Sequence, residues 1–307
     1  MPLDDQTKRL LDVLALQPQR NVETMSLADL RESVMAMLKI AVPSDDPAIR
    51  VEDRVTPENV SVRVYIPPEA RGALVYFHGG GWVVGNTAIV EPICRRIASK
   101  AGCAVVSVDY RLAPEHKFPI PFNDCFAATR YAFEHYHTLA HPGPPRIAVG
   151  GDSAGGNLAA AVCLKARSDG PPIAMQLLVY PATDLNFNTK SYLDNASGYG
   201  LLRSEMIWFW KQYLNTTEDE ANPLAVPYRA ADLSGLPRAV VLTAEFDVLR
   251  DEGEAYAKRL QAAGVEVDLR RHEGMIHGFF WHAGMIDRGR EAIDSAAATL
   301  RLILQTN

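Results

Sequence analysis

Apolar residues along this chain recur with two different periods, and the changes of period mark its elements. Through the first 40 residues they return at helical spacing: Leu10, Leu11, Val13 and Leu14, then Leu27, Leu30, Val34, Met37 and Leu38. Two helical stretches are expected there, with Ser26 capping the second. Between residues 49 and 66 the period shortens to two. Val60, Val62, Val64 and Ile66 alternate with polar neighbours, as in a half-exposed strand, and Pro67-Pro68 ends it.

Beyond that point the strands lose their polar alternation. Short apolar runs lie at 73–77, 104–108, 147–149, 175–180 and 239–243, with a last one at 265–271 after the Gly264 helix stop. Helical patterns fill the intervals, at about 88–101, 121–137, 154–168, 251–263 and 288–305. Strands alternating with helices predict an α/β chain whose parallel sheet is covered by helices on both faces. One interval breaks the rhythm: residues 184–230 separate two strands by far more than a crossover needs. They carry Trp208, Phe209, Trp210 and Tyr213 on one helical pattern, followed by Pro223 and Pro227. A lid over a site is expected; the competing reading is a peripheral helix packed on the core.

Composition narrows the possibilities. With 48% hydrophobic residues in 307, the chain can build a large core. It carries 31 Lys and Arg against 37 Asp and Glu, a net charge of −6 with no basic block, so neither nucleic acid nor an anionic membrane surface is an expected partner. No apolar run reaches the ~18–20 residues that would span a bilayer. The N-terminal MPLDDQTKRLLDVL is charged and has no apolar core, unlike a secretory signal, so a cytoplasmic protein is expected. Cys94, Cys103, Cys125 and Cys163 have neither disulfide-framework nor zinc-site spacing and read as reduced core residues.

The chemistry concentrates in four places. Gly151-Asp152-Ser153-Ala154-Gly155 follows an apolar strand and opens a helix of small residues, which is the context of a G-x-S-x-G nucleophile turn. Small neighbours allow the close approach that lifts a serine hydroxyl clear of a sheet; a plain Gly-rich turn before a helix is the alternative. His78-Gly79-Gly80-Gly81-Trp82 directly follows the strand at 73–77. Consecutive glycines leave backbone N–H groups unshielded, and with the N–H of Ala154 they would form an oxyanion hole. The loop lacks the G-K-[ST] ending of a phosphate loop. His78 ends a core strand and is expected to orient the loop rather than act as base.

The strand at 239–243 runs into Glu245, Asp247 and Asp251. Asp247 is favoured as the acid, since it falls at the carboxyl end of the strand; Asp251, with Glu254 three residues on, reads as a helix cap, and Glu245 remains a competitor. Gly274-Met275-Ile276-His277-Gly278-Phe279 supplies the base. Of eight histidines, His277 alone follows a core strand in a Gly-flanked loop. His135, His137 and His141 read as solvated, and His116 and His272 as structural. The order Ser153, Asp247, His277 is that of α/β-hydrolases: nucleophile, acid that fixes the imidazole, and general base.

These stretches together, HGGGW (78–82), YRLAPEHKFPIPFND (110–124), GDSAGGN (151–157), DVLRDEGEAYAKRL (247–260) and IHGF (276–279), resemble the hormone-sensitive-lipase-like branch of the α/β-hydrolases, the bacterial family IV esterases, over residues 60–305. The resemblance implies an α/β-hydrolase fold with a mostly parallel sheet and a helical cap. The cap would comprise residues 1–45 and the inserted 184–230, and the catalytic domain 46–183 and 231–307. It implies Ser153, Asp247 and His277 as the triad and Gly80, Gly81 and Ala154 as oxyanion amides. GDSAG places the chain with the larger of two subgroups, while Val248 stands where many members have proline. Ester hydrolysis of short to medium acyl chains is implied, without a cofactor and with tolerance of bulky alcohols. The last strand and helix are a candidate edge for a homodimer, as in many relatives.

Other functions use the same parts. An acyltransferase or amidase would form the same acyl-enzyme, and a non-catalytic small-molecule receptor can occupy this scaffold when the histidine is lost; here His277 is present. No metal site is expected. Trp82, Trp208, Phe209, Ile276 and Phe279 are candidates for an apolar substrate pocket, with ordinary core as the alternative.

Overall fold

The structure, a computed structural model, describes residues 2–16, 21–36, 49–141 and 143–305. The chain opens with α1 (Asp5–Ala15) and α2 (Leu27–Ala36). Asp4 caps α1 by accepting the N–H of Gln6 and Thr7, and Ser26 Oγ accepts the N–H of Asp29 at the start of α2, as its sequence predicts. Met37 and Leu38, in the predicted second helix, lie outside the described residues, as do residues 17–20 and 37–48 of the predicted domain boundaries.

The half-exposed stretch at 49–66 is two strands rather than one. Strands β1 (Arg50–Val55) and β2 (Ser61–Ile66) form an antiparallel hairpin whose turn contains Asn59 at φ 63°. Strand β3 (Ala73–Phe77) follows, buried throughout. Next come α3 (Glu91–Ala101), ended by Gly102 in the left-handed region, and β4 (Ala104–Asp109). Then α4 (Ile120–Glu134), β5 (Ile147–Asp152), α5 (Ala154–Asp169) and β6 (Ile173–Val179) complete the first half.

The long interval holds α6 (Lys190–Asp194) and α7 (Arg203–Tyr213), the latter being the aromatic-rich helix of the sequence. The last parallel units are β7 (Arg238–Phe246), α8 (Arg250–Ala262), β8 (Val267–Ile276) and α9 (Asp287–Gln305). Two boundaries move in a way that matters. Strands β5 and β8 run further than predicted, so Gly151 and Asp152 end one strand and Gly274 to Ile276 end the other. Ser153 and His277 therefore sit directly at strand ends, where a register shift between Ala244 and Phe246 lets β8 reach on.

The eight strands form one sheet in the order β1-β2-β4-β3-β5-β6-β7-β8. Strand β2 runs antiparallel to β1 and β4, and every pair from β4 onward across the sheet is parallel. Helix α3 packs on α9, α4 packs on α5, and α5 and α9 both rest on β5 and β6, so helices cover both faces. Their contact explains the uninterrupted apolar runs: β3 and β5 have no solvated side. The chain winds outward from β3 in both directions, to β4 and to β5. This is the switch point where loops from adjoining strands part and leave a crevice at the carboxyl ends. The oxyanion-type glycines follow β3 and Ser153 follows β5, so the winding brings both together.

Candidate active site

Ser153 occupies the whole of the turn between β5 and α5, at φ 56° and ψ −118°. A non-glycine residue avoids that region unless its surroundings enforce it. Here they do. The Ser153 N–H donates to Val179 O at 2.8 Å, and its carbonyl accepts the N–H of Asn157 and of Ala182 at 3.1 and 3.2 Å. Gly155 permits the fit: a Cβ there would lie 1.9 Å from the carbonyl oxygen of Phe77. Helix α5 thus presses against the end of β3, and the hydroxyl stands at the foot of a crevice.

The structure brings Ser153, His277 and Asp247 into one hydrogen-bonded chain. His277 Nε2 is 3.0 Å from Ser153 Oγ and Nδ1 is 2.8 Å from Asp247 Oδ2. A carboxylate facing Nδ1 takes its proton in a hydrogen bond, which leaves the Nε2 lone pair toward the serine hydroxyl. Asp247 is itself fixed: Oδ1 accepts the Leu249 N–H at 2.9 Å and its carbonyl accepts Asn195 Nδ2 at 3.2 Å. The competing acids are engaged elsewhere. Glu245 accepts the Gly274 N–H at 2.8 Å. Asp251 does not cap α8, which begins one residue earlier at Arg250 after the cap residue Leu249; it accepts the Ser191 N–H at 2.7 Å instead. Glu254 pairs with Arg271.

Tyr180 was given no site role by sequence. It lies just past β6 at φ 36°, and its ring centroid is 4.6 Å from that of His277, packing the imidazole from one side. Its position at the end of a core strand was the available signal. Among the other histidines, His141 is exposed, in line with its solvated reading, and pairs at the surface with Glu69.

The glycine loop is a tight turn. Gly80 O accepts the N–H of Val83 and Val84 at 3.1 and 3.0 Å, and Gly80 and Gly81 take φ of 116° and 58°. The N–H groups of Gly80, Gly81 and Ala154 have no acceptor among the described residues. His78 orients this loop, as expected of it: buried Nδ1 donates to Gly79 O at 2.7 Å and the ring stacks on Tyr110 at 4.3 Å. Burial pushes the His78 imidazole down to about 4, so it is neutral at ordinary pH. Asp152, next to the serine, is fully buried and accepts the Tyr76 hydroxyl at 2.9 Å. Burial lifts its carboxyl to about 6, against that hydrogen bond.

A cavity of about 110 Å³ opens over Ser153 and His277, with Gly80 and Gly81 on its wall. Of the five predicted pocket residues, Phe209 and Ile276 line it. Trp82 does not; it is buried between Trp210 and Tyr213, stacked on the latter at 4.4 Å. Phe279 is also core, packed on Tyr180 and Phe280, and Trp208 lies off the wall, against Phe209. Trp82 and Phe279 miss the wall for one cause: a large aromatic next to a site motif can face the sheet as readily as the crevice. The roof comes from the segment that the resemblance assigns to the cap: Leu14 on α1, Val22 in the turn before α2, and Leu30 and Val34 on α2 meet the cavity, while Trp281 and His282, also on its wall, were given no pocket role by sequence. The periodicity of the two helices was visible, but not which of their side chains face the cavity.

Among the described residues no cluster of three or more His, Cys, Asp or Glu could hold a metal ion, and all four cysteines are buried and free. No described helix is long and apolar enough to cross a membrane. Residues 74–281 match the family with the alpha/beta hydrolase fold. The chain is 39% identical over 315 residues to the carboxylesterase NlhH of Mycobacterium tuberculosis, covering 98% of this chain and 96% of that protein. It is 38% identical over 288 residues to an arylesterase of Saccharolobus solfataricus, covering 91% and 92%. The crystal structure of a thermostable esterase from Pseudomonas putida superposes with a TM-score of 0.93 at 35% identity, over 100% of this chain and 99% of that one.

Proposed function

The chain belongs to the alpha/beta hydrolase fold family, in its hormone-sensitive-lipase-like branch, and from that premise we infer that it is a carboxylesterase acting on short- to medium-chain acyl esters through an acyl-enzyme on Ser153. The observation that carries this reading is the hydrogen-bonded chain from Ser153 Oγ through His277 to Asp247, set at the foot of a small, largely apolar cavity.

Each step uses a contact already described. His277 Nε2 accepts the Ser153 proton as Oγ attacks the ester carbonyl. The imidazolium so formed is stabilised by Asp247, which keeps both its ionic partner and its Leu249 N–H bond. Negative charge develops on the carbonyl oxygen, where the N–H groups of Gly80, Gly81 and Ala154 would converge, the last at the positive end of α5. His277 then returns the proton to the departing alkoxide, and the alcohol leaves. Water repeats the sequence on the acyl-enzyme, releasing the acid and restoring Ser153. Phe209 and Ile276 bound the room beside the serine, and the apolar roof favours an acyl chain over a charged one. The limited cavity supports short to medium chains.

The test is hydrolysis of p-nitrophenyl esters from acetate to palmitate by the native protein and by Ser153→Ala. A Ser153-dependent optimum at short or medium chains is expected. Undiminished turnover by Ser153→Ala would remove the mechanism, and an optimum at palmitate would remove the chain-length assignment.

A further inference from the structure

We propose that Arg31 is a positioning residue for the oxyanion turn, tying the N-terminal helix α2 to the carbonyl oxygens of Val83, within residues 80–84, and of Ala113, which is bonded to Trp82. The proposal rests on the esterase reading of the site. Arg31 lies on α2 between Leu30 and Val34, the two side chains that this helix lowers onto the cavity. Its Nε donates to Val83 O at 2.9 Å and its Nη2 to Ala113 O at 3.2 Å. The fork closes on Glu115, with Nη1 and Nη2 at 2.8 and 2.7 Å from its two carboxylate oxygens. Four of the five guanidinium N–H groups are thereby used.

Both backbone acceptors belong to the frame of the turn. Val83 donates its own N–H to Gly80 O at 3.1 Å, and Ala113 donates its N–H to Trp82 O at 2.9 Å. Arg31 thus grips the turn at Val83 and, through Ala113, at Trp82. The need for an external grip follows from the residues themselves. Gly80 and Gly81 have no Cβ to restrict them, so local preference does not hold φ at 116° and 58°. Arg31 supplies the restraint from an element outside the sheet, and the same helix closes the cavity. The hydrogen bond from Arg31 holds Glu115 down at about 2, so the fork stays intact from mildly acid pH upward. Lysine has a point charge in place of a planar fork and can satisfy only part of this set.

Three variants, Arg31→Gln, Arg31→Lys and Glu115→Gln, separate positioning from general support. Active sites are counted with a p-nitrophenyl phosphonate, kcat and KM are measured for p-nitrophenyl acetate and hexanoate, and hydrogen exchange is followed at residues 80–84. For Arg31→Gln, kcat per titrated site is expected to fall about tenfold on both esters, as for loss of charge-assisted hydrogen bonds. KM should rise more for hexanoate than for acetate, because the roof loosens. Arg31→Lys should recover part of kcat, and Glu115→Gln should lose less than Arg31→Gln, since it leaves both carbonyl bonds. Exchange at Val83 and Val84 should quicken in Arg31→Gln. Native kcat per titrated site, with only a lowered Tm, would overturn the proposal, as would unchanged exchange at those two amides. Failure of the native protein to hydrolyse either ester would count against the esterase reading instead, and the exchange comparison would still decide whether Arg31 holds the turn.

Discussion

His78 makes a quantitative prediction about acid stability. Its ring is fully buried, its Nδ1–H is committed to Gly79 O, and Nε2 has no hydrogen-bond partner among the described residues. A proton added at Nε2 would place a charge in a site with no counter-ion, which is why burial pushes this imidazole from 6.5 down to about 4. In the unfolded chain the same ring takes its proton near the ordinary value. Between those two pH values the unfolded state binds more protons than the folded one, so falling pH favours unfolding. The stability present above pH 6.5 is lost progressively until about 4. At pH 5 the loss from this one ring is about 2 kcal/mol, against a few tenths at pH 7.

The raw stability curve mixes this with other groups. His272, pushed down to about 4 chiefly by burial, acts in the same direction. Asp152, lifted to about 6 by burial, acts in the opposite one, because the folded state holds its proton more tightly. The clean measurement is therefore a difference: urea unfolding of the native protein and of His78→Asn at pH 7 and pH 5. Asparagine keeps an N–H near Gly79 O and removes the titrating nitrogen. The stability gap between the two proteins should move by about 2 kcal/mol in favour of His78→Asn on going to pH 5. A gap that stays constant between the two pH values would refute the burial of a neutral imidazole at this position.

Two further outcomes follow from the site. Asp247→Asn should fold with a native Tm yet lose kcat by about 10⁴, because an amide N–H facing Nδ1 favours the wrong imidazole tautomer; a loss under tenfold on p-nitrophenyl acetate would contradict that role. Gly81→Ala would set a Cβ 2.3 Å from the Phe209 ring, so the turn must shift and kcat should fall about a hundredfold. Adding Phe209→Ala to Gly81→Ala should recover part of that loss, and no recovery would mean the ring is not what the methyl group displaces.

The sequence disclosed what depends on single strands and their ends. Period-two alternation in Val60, Val62 and Val64 and the unbroken apolar runs of β3 and β5 gave the α/β layering, since a strand covered on both faces has no polar position to spare. Ser153, Asp247 and His277 were legible because each stands where a core strand stops. What sequence left hidden depends on which way a side chain turns. Trp82 and Phe279 sit beside site motifs yet pack into the interior, while Leu30 and Val34, distant in sequence, close the cavity. The hairpin of β1 and β2 was concealed because β1, RVEDRV, is mostly charged and lacks the apolar alternation of β2, although Pro57 and Asn59 mark its turn. Asp251 read as a cap because an acidic residue near a helix start serves either that helix or a neighbour, and here α6 claims it.

The backbone of Ser153 sets a limit on how stable this protein can become while remaining active. A serine at φ 56° and ψ −118° carries on the order of 1–3 kcal/mol of strain that no amount of core improvement removes. The penalty belongs to any side chain with a Cβ, so the replacement that would relax it is glycine, which abolishes the nucleophile. Selection for thermal endurance alone would therefore pull this position away from chemistry, and selection for turnover holds it in place. The turn is where those two demands meet within a single residue.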